Sequence, residues 1–338
     1  MKALMIFQYI NNNCNRSCDH CYWNSEKSST TPKIVEDTVV WIKNICKEEN
    51  VQNLKIVFLG GEPLIEVDKL YYYMDLIKQY LPQYKLSDHS MVAGCSGFTV
   101  NTNGDFLTDS ILEEFKKRNA SINLNPTDLS LYELESRILK IKGELKHVDL
   151  TVALNELNLK RLPDIIKLAV KHYCHVRTSR LYDGGNIPGY VEEYKKQLLL
   201  ACDILLEADK PMFPGWFIED VYPLTNSRRN FSCGKWLAVL DSDGAIRSCN
   251  VDSNSEIGSI YTHKHWSDLK FLQCRSANLV ECQGCKWALL CQGGCPHTRK
   301  LTYGTYDRKS PFCEAFKELF PKLMQLTEKW RKYYVSNN

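Results

Sequence analysis

The chain has 338 residues, 44% of them hydrophobic and 25% charged, the make-up of an ordinary water-soluble globular protein with ample core. Its 43 basic and 40 acidic residues leave a net charge of +3, which gives no electrostatic case for nucleic acid or an anionic membrane as partner. No apolar run approaches a membrane span and Met1–Ile10 is too short for a signal peptide, so a cytoplasmic protein is expected.

In chain order, short apolar runs alternate with longer amphipathic segments. Strands are expected at Ala3–Ile10, Leu54–Leu59, Gly97–Asn101, Ser121–Leu124, Val148–Leu154 and Val176–Leu181. Helices are expected between them at Lys33–Cys46, Val67–Tyr80, Ser110–Lys117, Ser130–Ile141 and Leu162–His172, with Tyr190–Leu206 after the last strand. Thr108 or Asp109, and Pro163, serve as helix-start signals. Six strand–helix units imply an α/β fold with a parallel sheet. They are too few for a closed eight-fold barrel and enough for a partial (β/α)6 barrel, with an open doubly wound sheet as competitor. In both architectures ligands lie at the carboxyl ends of the strands.

Two motifs sit at such ends. Cys14-Asn-Arg-Ser-Cys18-Asp-His-Cys21 follows the first strand, with three thiols spaced by three and then two residues. Three thiolates suit a cubane iron–sulfur cluster with one iron left open, or a zinc knuckle if His20 is a fourth ligand. Gly60-Gly61-Glu62-Pro63 follows the second strand. Its paired glycines let backbone approach a ligand without a Cβ in the way, Pro63 fixes the turn, and Glu62 faces the same mouth, where it can receive an ammonium group.

The fifteen cysteines are unevenly spread: three at 14–21, a spaced series of seven between 233 and 313, and five scattered ones, Cys46, Cys95, Cys174, Cys202 and, within the span of that series, Cys274. Such clustering is that of metal or redox chemistry rather than a disulfide framework. Cys46 and Cys202 fall in helix-like apolar patterns and read as core filler. After a loop-rich stretch at 207–232 the seven tail cysteines run Cys233-x10-Gly244-x4-Cys249, then Cys282-x2-Cys285-x5-Cys291-x3-Cys295, then Cys313. Asp241-Ser-Asp-Gly244 is a hairpin turn between two short apolar runs. A pair of zinc ribbons is the alternative for spacings of this kind. Phe312–Tyr334 carries apolar residues at helical spacing and is expected to pack the tail against the barrel.

The two motifs in this order resemble the radical S-adenosylmethionine (SAM) enzymes. The resemblance implies a 4Fe–4S cluster on Cys14, Cys18 and Cys21, its open iron chelated by SAM, with Gly60 to Pro63 at the SAM amino group. His20 stands where an aromatic residue is usual, with Tyr22 beside it. Thr102-Asn103-Gly104 and Asn158-Leu159 resemble further family elements, Asn103 lining the SAM pocket. Asn123 and Arg177 are candidate SAM contacts, although Asn123-Leu124-Asn125-Pro126 departs from the family pattern. In such enzymes SAM is reductively cleaved to a 5′-deoxyadenosyl radical that abstracts hydrogen from substrate.

The tail resembles the SPASM extension, which in relatives holds two auxiliary 4Fe–4S clusters. Carried over, the nearer cluster takes Cys233, Cys249 and Cys295, and the outer one Cys282, Cys285, Cys291 and Cys313. That makes three clusters and SAM as cofactors. The implied domains are 1–206 (radical SAM partial barrel), 207–232 (linker), 233–313 (SPASM) and 314–338 (C-terminal helix).

Most enzymes with this tail modify peptides, so a ribosomally made peptide substrate is expected, oxidised, crosslinked or epimerised. A small-molecule dehydrogenase or rearrangement enzyme is the alternative, and a non-enzymatic metal-binding module the remote one. The sulfatase-maturing branch carries an aspartate after the equivalent of Cys249 as proton acceptor. Here Asn250 stands there, and an amide is no general base; Asp252 is the substitute candidate. A flavodoxin or ferredoxin is the implied electron donor. The 13 residues ahead of Cys14 leave no room for a leader-binding domain, so a separate leader-peptide-binding protein is a further candidate partner.

Overall fold

A computed structural model describes residues 3–18, 21, 28–84, 96–126, 129–145, 147–210, 237–252, 254–271 and 279–336. Six strand–helix units follow one another as expected: β1 (Ala3–Tyr9), α1 (Pro32–Glu48), β2 (Asn53–Leu59), α2 (Val67–Tyr80), β3 (Gly97–Thr102), α3 (Asp109–Lys117), β4 (Ala120–Leu124), α4 (Leu131–Glu144), β5 (Val148–Leu154), α5 (Glu156–Lys171), β6 (His175–Arg180) and α6 (Tyr190–Glu207). The tail adds strands β7 (Leu237–Leu240), β8 (Ala245–Arg247) and β9 (Glu256–Ser259), then helices α7 (Ala288–Cys291), α8 (Pro296–Tyr303) and α9 (Cys313–Ser336). The class is α/β with mostly parallel strands. No helix among the described residues is long and apolar enough to cross a membrane.

The chain forms two compact units. The first comprises 1–125, 137–149 and 232–272; the second comprises 126–136, 150–231 and 273–338.

In the first unit the strand order is β4-β3-β2-β1-β7-β8-β9. Strands β1 to β4 pair in parallel, in register from Ala3 opposite Asn53 through Thr102 opposite Leu124. Leu4, Ile6, Phe7, Tyr9, Ile56, Val57 and Phe58 are all buried, so β1 and β2 are apolar on both faces rather than alternating. Helix α1 starts where Thr31 caps it, its side chain accepting the Ile34 amide at 3.3 Å with Pro32 at the first position. Thr108 caps α3 in the same way, accepting the Ile111 amide.

The expected hairpin joins β7 to β8. Gly244, at φ +90°, takes the left-handed position of the turn, and its amide donates to the Asp241 carbonyl at 3.1 Å. Not anticipated was where β7 goes: it adds to β1 in parallel, Met5 opposite Leu237 through Gln8 opposite Leu240. Tail residues thereby cover the β1 edge, which a parallel sheet would otherwise leave with unpaired backbone groups.

In the second unit β6 neighbours β5, most of which belongs here, and α9 packs along α6. Phe316, Leu319, Phe320, Leu323 and Leu326 form the buried stripe of α9, and Lys195–Glu318 (3.1 Å) and Lys322–Asp203 ion pairs flank it. The start of α5 corrects the sequence reading. Asn155 caps it by accepting the Asn158 amide at 2.8 Å, so Pro163 lies well inside the helix rather than near its start. The proline leaves one intrahelical hydrogen bond unmade there, while Leu159, Leu162, Ile165 and Ile166 bury the face that holds the helix in place.

Cys46 and Cys202 are core thiols as expected, on α1 and α6, and burial pushes both up to about 12. Cys174 is buried as well. Cys95 and Cys274 lie outside the described residues.

Candidate metal centres

The first candidate site is at the carboxyl ends of β1, β2 and β3 in the first unit. The cysteine loop leaves β1 through Asn11 and Asn13, and the chain after β2 is stitched to it. The Gly61 amide donates to the Asn11 carbonyl at 3.1 Å, the Glu62 amide to the Asn13 carbonyl at 2.7 Å, and Asn11 Nδ2 to the Glu62 carbonyl at 3.2 Å. The fit requires glycine. A Cβ on Gly61 would stand 2.4 Å from the Asn13 oxygen and 2.9 Å from Cys14 Cβ, and one on Gly60 2.8 Å from the Asn11 oxygen. The paired glycines therefore let one loop seat directly on the other; their bare backbone serves the cysteine loop.

Glu62 also differs from the open acid read from the sequence. It is 1% exposed, and three donors hold its carboxylate: the Leu64 amide at 3.0 Å, Thr102 Oγ1 at 2.8 Å and the Asn103 amide at 2.8 Å. Burial pushes its carboxyl above the usual range, and these donors draw it back. Its side chain braces the loop after β2 to the loop after β3. Pro63 opens the short helical turn Pro63–Glu66 directly beyond it.

The loop after β3 then grips the cysteine loop from the other side. Asn103 Nδ2 donates to Asn15 Oδ1 at 2.9 Å. Arg16 takes both oxygens of Asp105, Nε at 2.7 Å and Nη2 at 2.6 Å, while Asn15 Nδ2 reaches the same carboxylate at 2.8 Å and Arg137 Nη1 at 2.9 Å. Arg16 above all holds the Asp105 carboxyl well below the usual range. Sequence reasoning missed Arg16, Asp105 and Arg137. Asn123 is buried beside this site on β4 and donates to Asn101 Oδ1 at 2.9 Å, directly across the strand pair.

Cys14 and Cys21 are exposed and Cys18 half-buried, so the three thiols stand at the surface of the site with no disulfide among them. Burial raises the Cys14 thiol while the Arg16 amide, donating to Cys14 Sγ at 3.4 Å, lowers it. His20 and Tyr22 lie outside the described residues.

In the second unit Cys282, Cys285, Cys291 and Cys313 line one cavity, with Gly293 and Ser310 among its walls. Among the described residues, no three His, Cys, Asp or Glu side chains close to the spacing of a single metal ion. Four thiols around one cavity can serve a cluster, whose corner irons each take one cysteine, or one tetrahedral ion. Burial pushes the Cys282 thiol up, Cys285 adds to this, and the Arg299 guanidinium draws it back.

The third cysteine set is described only in part. Cys233 lies outside the described residues, Cys249 is half-buried in the first unit and Cys295 half-buried in the second. Ser255 ties the Cys249 loop, its Oγ accepting the Cys249 amide at 3.2 Å and donating to the Asp252 carbonyl at 2.6 Å. Asp252 is half-buried and accepts the Asn254 amide at 3.0 Å, a local turn contact. Tyr9 donates its hydroxyl to the Asn250 carbonyl at 3.0 Å.

On β6, Arg177 is half-buried and Arg180 buried, on opposite faces of the strand. Arg180 donates to Thr298 Oγ1 at 2.9 Å and lies over the Phe312 ring, within the second unit. Asn158 is fully buried and donates to the Ala153 carbonyl at 3.0 Å.

Comparison with known proteins fits this arrangement. Residues 5–115 match the model of a 4Fe–4S single cluster domain. A cysteine-type anaerobic sulfatase-maturating enzyme of Clostridium novyi is 22% identical over 95% of this chain and 96% of its own length. The radical SAM cyclopropyl synthase TigE of Paramaledivibacter caminithermalis is 28% identical over 36% of this chain and 26% of its own length. The solved structure of native anSMEcpe, with bound AdoMet and the Kp18Cys peptide, superposes with a TM-score of 0.72 at 17% identity, covering 97% of this chain and 99% of that one. The chain resembles the radical SAM/SPASM maturases. Along almost its whole length, the SPASM-like tail included, it shares the fold of that solved structure.

Proposed function

We propose that this chain is a radical SAM enzyme that modifies a peptide by hydrogen abstraction. One observation carries the reading: the cysteine loop is seated on Gly60 and Gly61 and clamped by Asn103 and Asp105 at the carboxyl ends of parallel strands. Such a loop holds three exposed or half-buried thiols at one strand-end mouth, where ligands of α/β sheets bind.

Cys14, Cys18 and Cys21 would hold a 4Fe–4S cluster with one open iron. When bound, cluster and SAM supply reductive cleavage to the 5′-deoxyadenosyl radical. The protein's share is orientation and exclusion of water. Gly60 and Gly61 keep the loop low against β2, and Glu62 fixes the spacing of the β2 and β3 loops through its three donors. Gly60 to Pro63, with Asn103 and Asn123, would contact SAM through backbone and amide groups, since three donors already hold the Glu62 carboxylate.

Cys282, Cys285, Cys291 and Cys313 would hold an outer auxiliary cluster, and Cys233, Cys249 and Cys295 a nearer one, for three clusters in all. A flavodoxin- or ferredoxin-like donor would supply electrons. A peptide substrate is favoured by the solved relative with a bound cysteine peptide and by the maturase named above. Asn250 argues against that relative's reaction by the same acid–base route, because its amide takes up no proton; Asp252 is the nearest carboxylate in sequence for the task.

The reading is tested by incubating the anaerobically reconstituted, reduced protein with SAM and short cysteine- or serine-containing peptides encoded near its gene. A peptide mass lowered by two hydrogens, or a product with altered stereochemistry, formed together with 5′-deoxyadenosine supports it. SAM cleavage that modifies only small molecules would replace the peptide by a metabolite substrate.

A further inference from the structure

Arg299 lies on α8, the helix that starts directly after Cys295, and is 0% exposed. Its Nη1 donates to the carbonyls of Tyr306 and Arg308 at 2.7 and 3.2 Å. Among the described residues its buried Nε and Nη2 have no hydrogen-bond partner, and no carboxylate pairs with it. A guanidinium stays charged in a protein, and a buried charge without a counter-charge is strongly unfavourable. Two carbonyl dipoles compensate only part of that cost. Among the described residues, no anion balances it.

The four-cysteine cavity adjoins it. Gly293 lines that cavity, and a Cβ placed there would be 3.7 Å from Arg299 Nη1. The Gly293 carbonyl accepts the amide of Ser310, another wall residue, at 3.0 Å. The other charges at the cavity already have partners. Lys309 and Lys317 pair with Glu314 at 3.1 and 3.0 Å, and Glu281 takes Arg308 at 3.3 Å and the Lys309 amide at 2.8 Å. Arg299 is therefore the buried cation at this cavity that no protein anion neutralises among the described residues.

We propose that Arg299 is the built-in counter-charge of a four-iron cluster held by Cys282, Cys285, Cys291 and Cys313, and that it sets the potential of that cluster. This rests on the reading that those four cysteines hold a cluster. Four thiolates give a cubane net negative charge, which grows by one on reduction, and net charge is one of the quantities that fix cluster potentials. A fixed buried cation favours the reduced form. The anionic cluster in turn would supply the counter-charge of the guanidinium, so cluster loading and burial of Arg299 stabilise one another.

The test is an anaerobic redox titration of the full-length reconstituted protein, followed by electron paramagnetic resonance, with iron counted in every sample. Cys285→Ala identifies the outer cluster as the signal it removes; if Cys285→Ala loses neither iron nor a signal, the cluster assignment itself is wrong. Given that assignment, Arg299→Gln is expected to shift only the outer signal, lowering its reduction equilibrium constant at least tenfold, or 59 mV for one electron. Arg299→Lys keeps the charge but not the fork to the two carbonyls, and is expected to hold the wild-type midpoint. A loaded Arg299→Gln protein with an unchanged midpoint would overturn the proposal. Should the Gln variant not load iron, the Lys variant decides: loading at the wild-type midpoint supports charge, and failure to load shows that shape alone matters.

Discussion

Arg16 holds both carboxylate oxygens of Asp105, at 2.7 and 2.6 Å, and so ties the loop between the first two clustered cysteines to the loop after β3. Asp105→Asn removes the anion that Arg16 and Arg137 share and is expected to lower stability by about 1 kcal/mol at neutral pH, the scale of a partly exposed bidentate pair. The sign with pH follows from the depressed folded carboxyl. Its contribution is in force above the unfolded value of about 3.9 and is lost as pH falls through the lower folded one. Thermal melts of the iron-free protein at pH 7, 5 and 3 should therefore show a wild-type advantage that persists at pH 5 and shrinks at pH 3. Equal melts at pH 7 would show that the clamp contributes nothing.

Gly61→Ala puts a methyl group 2.4 Å from the Asn13 oxygen and 2.5 Å from its carbonyl carbon, both backbone atoms that cannot turn aside. The expected cost is about 1–3 kcal/mol, with iron lost at the first site while tail iron is retained. Gly143→Ala is the control. It lies in α4 with nothing within 4 Å of the added Cβ, so it should be neutral or stabilising by up to about 1 kcal/mol. Equal iron content in the two variants would refute the seating role of Gly61.

Glu62→Gln turns one acceptor oxygen into a donor facing the Asn103 or Leu64 amide. Leaving a buried donor unpaired costs about 1–3 kcal/mol. Hydrogen exchange should report faster opening at Leu64 and Asn103, with Thr108 to Lys117 unaffected. Unchanged protection at both amides would mean the brace is dispensable.

Much of this was legible in the sequence, for reasons particular residues make plain. The strands are continuous apolar runs such as Ile56-Val57-Phe58-Leu59, closed by Gly60, and buried parallel strands look like that. Both cysteine groups are local spacings. The start of α5 was misread because Pro163 drew attention away from Asn155, whose capping depends on its φ/ψ rather than its type alone. The clamp was invisible because Arg16 and Asp105 stand 89 positions apart and only the fold brings them together. The parallel pairing of β7 with β1 was hidden similarly, and so was Arg299, since no local pattern reveals that a buried arginine has no acid beside it among the described residues.

Cys46 and Cys202, both raised to about 12 by burial, are expected to stay unmodified when the folded, iron-free protein is treated with an alkylating reagent at pH 8. Exposed Cys14 and Cys21 should be labelled first. Peptide mapping by mass spectrometry would show this, and early labelling of either core thiol would contradict their burial.

The most direct test of the central claim is the yield of 5′-deoxyadenosine from SAM and dithionite, read together with iron per chain, for the wild type and Cys18→Ala. Expected are roughly twelve irons per chain in the wild type, SAM cleavage, and in Cys18→Ala the loss of cleavage with about eight irons kept. Cleavage that survives Cys18→Ala, or a wild type that binds zinc and leaves SAM intact, would contradict it.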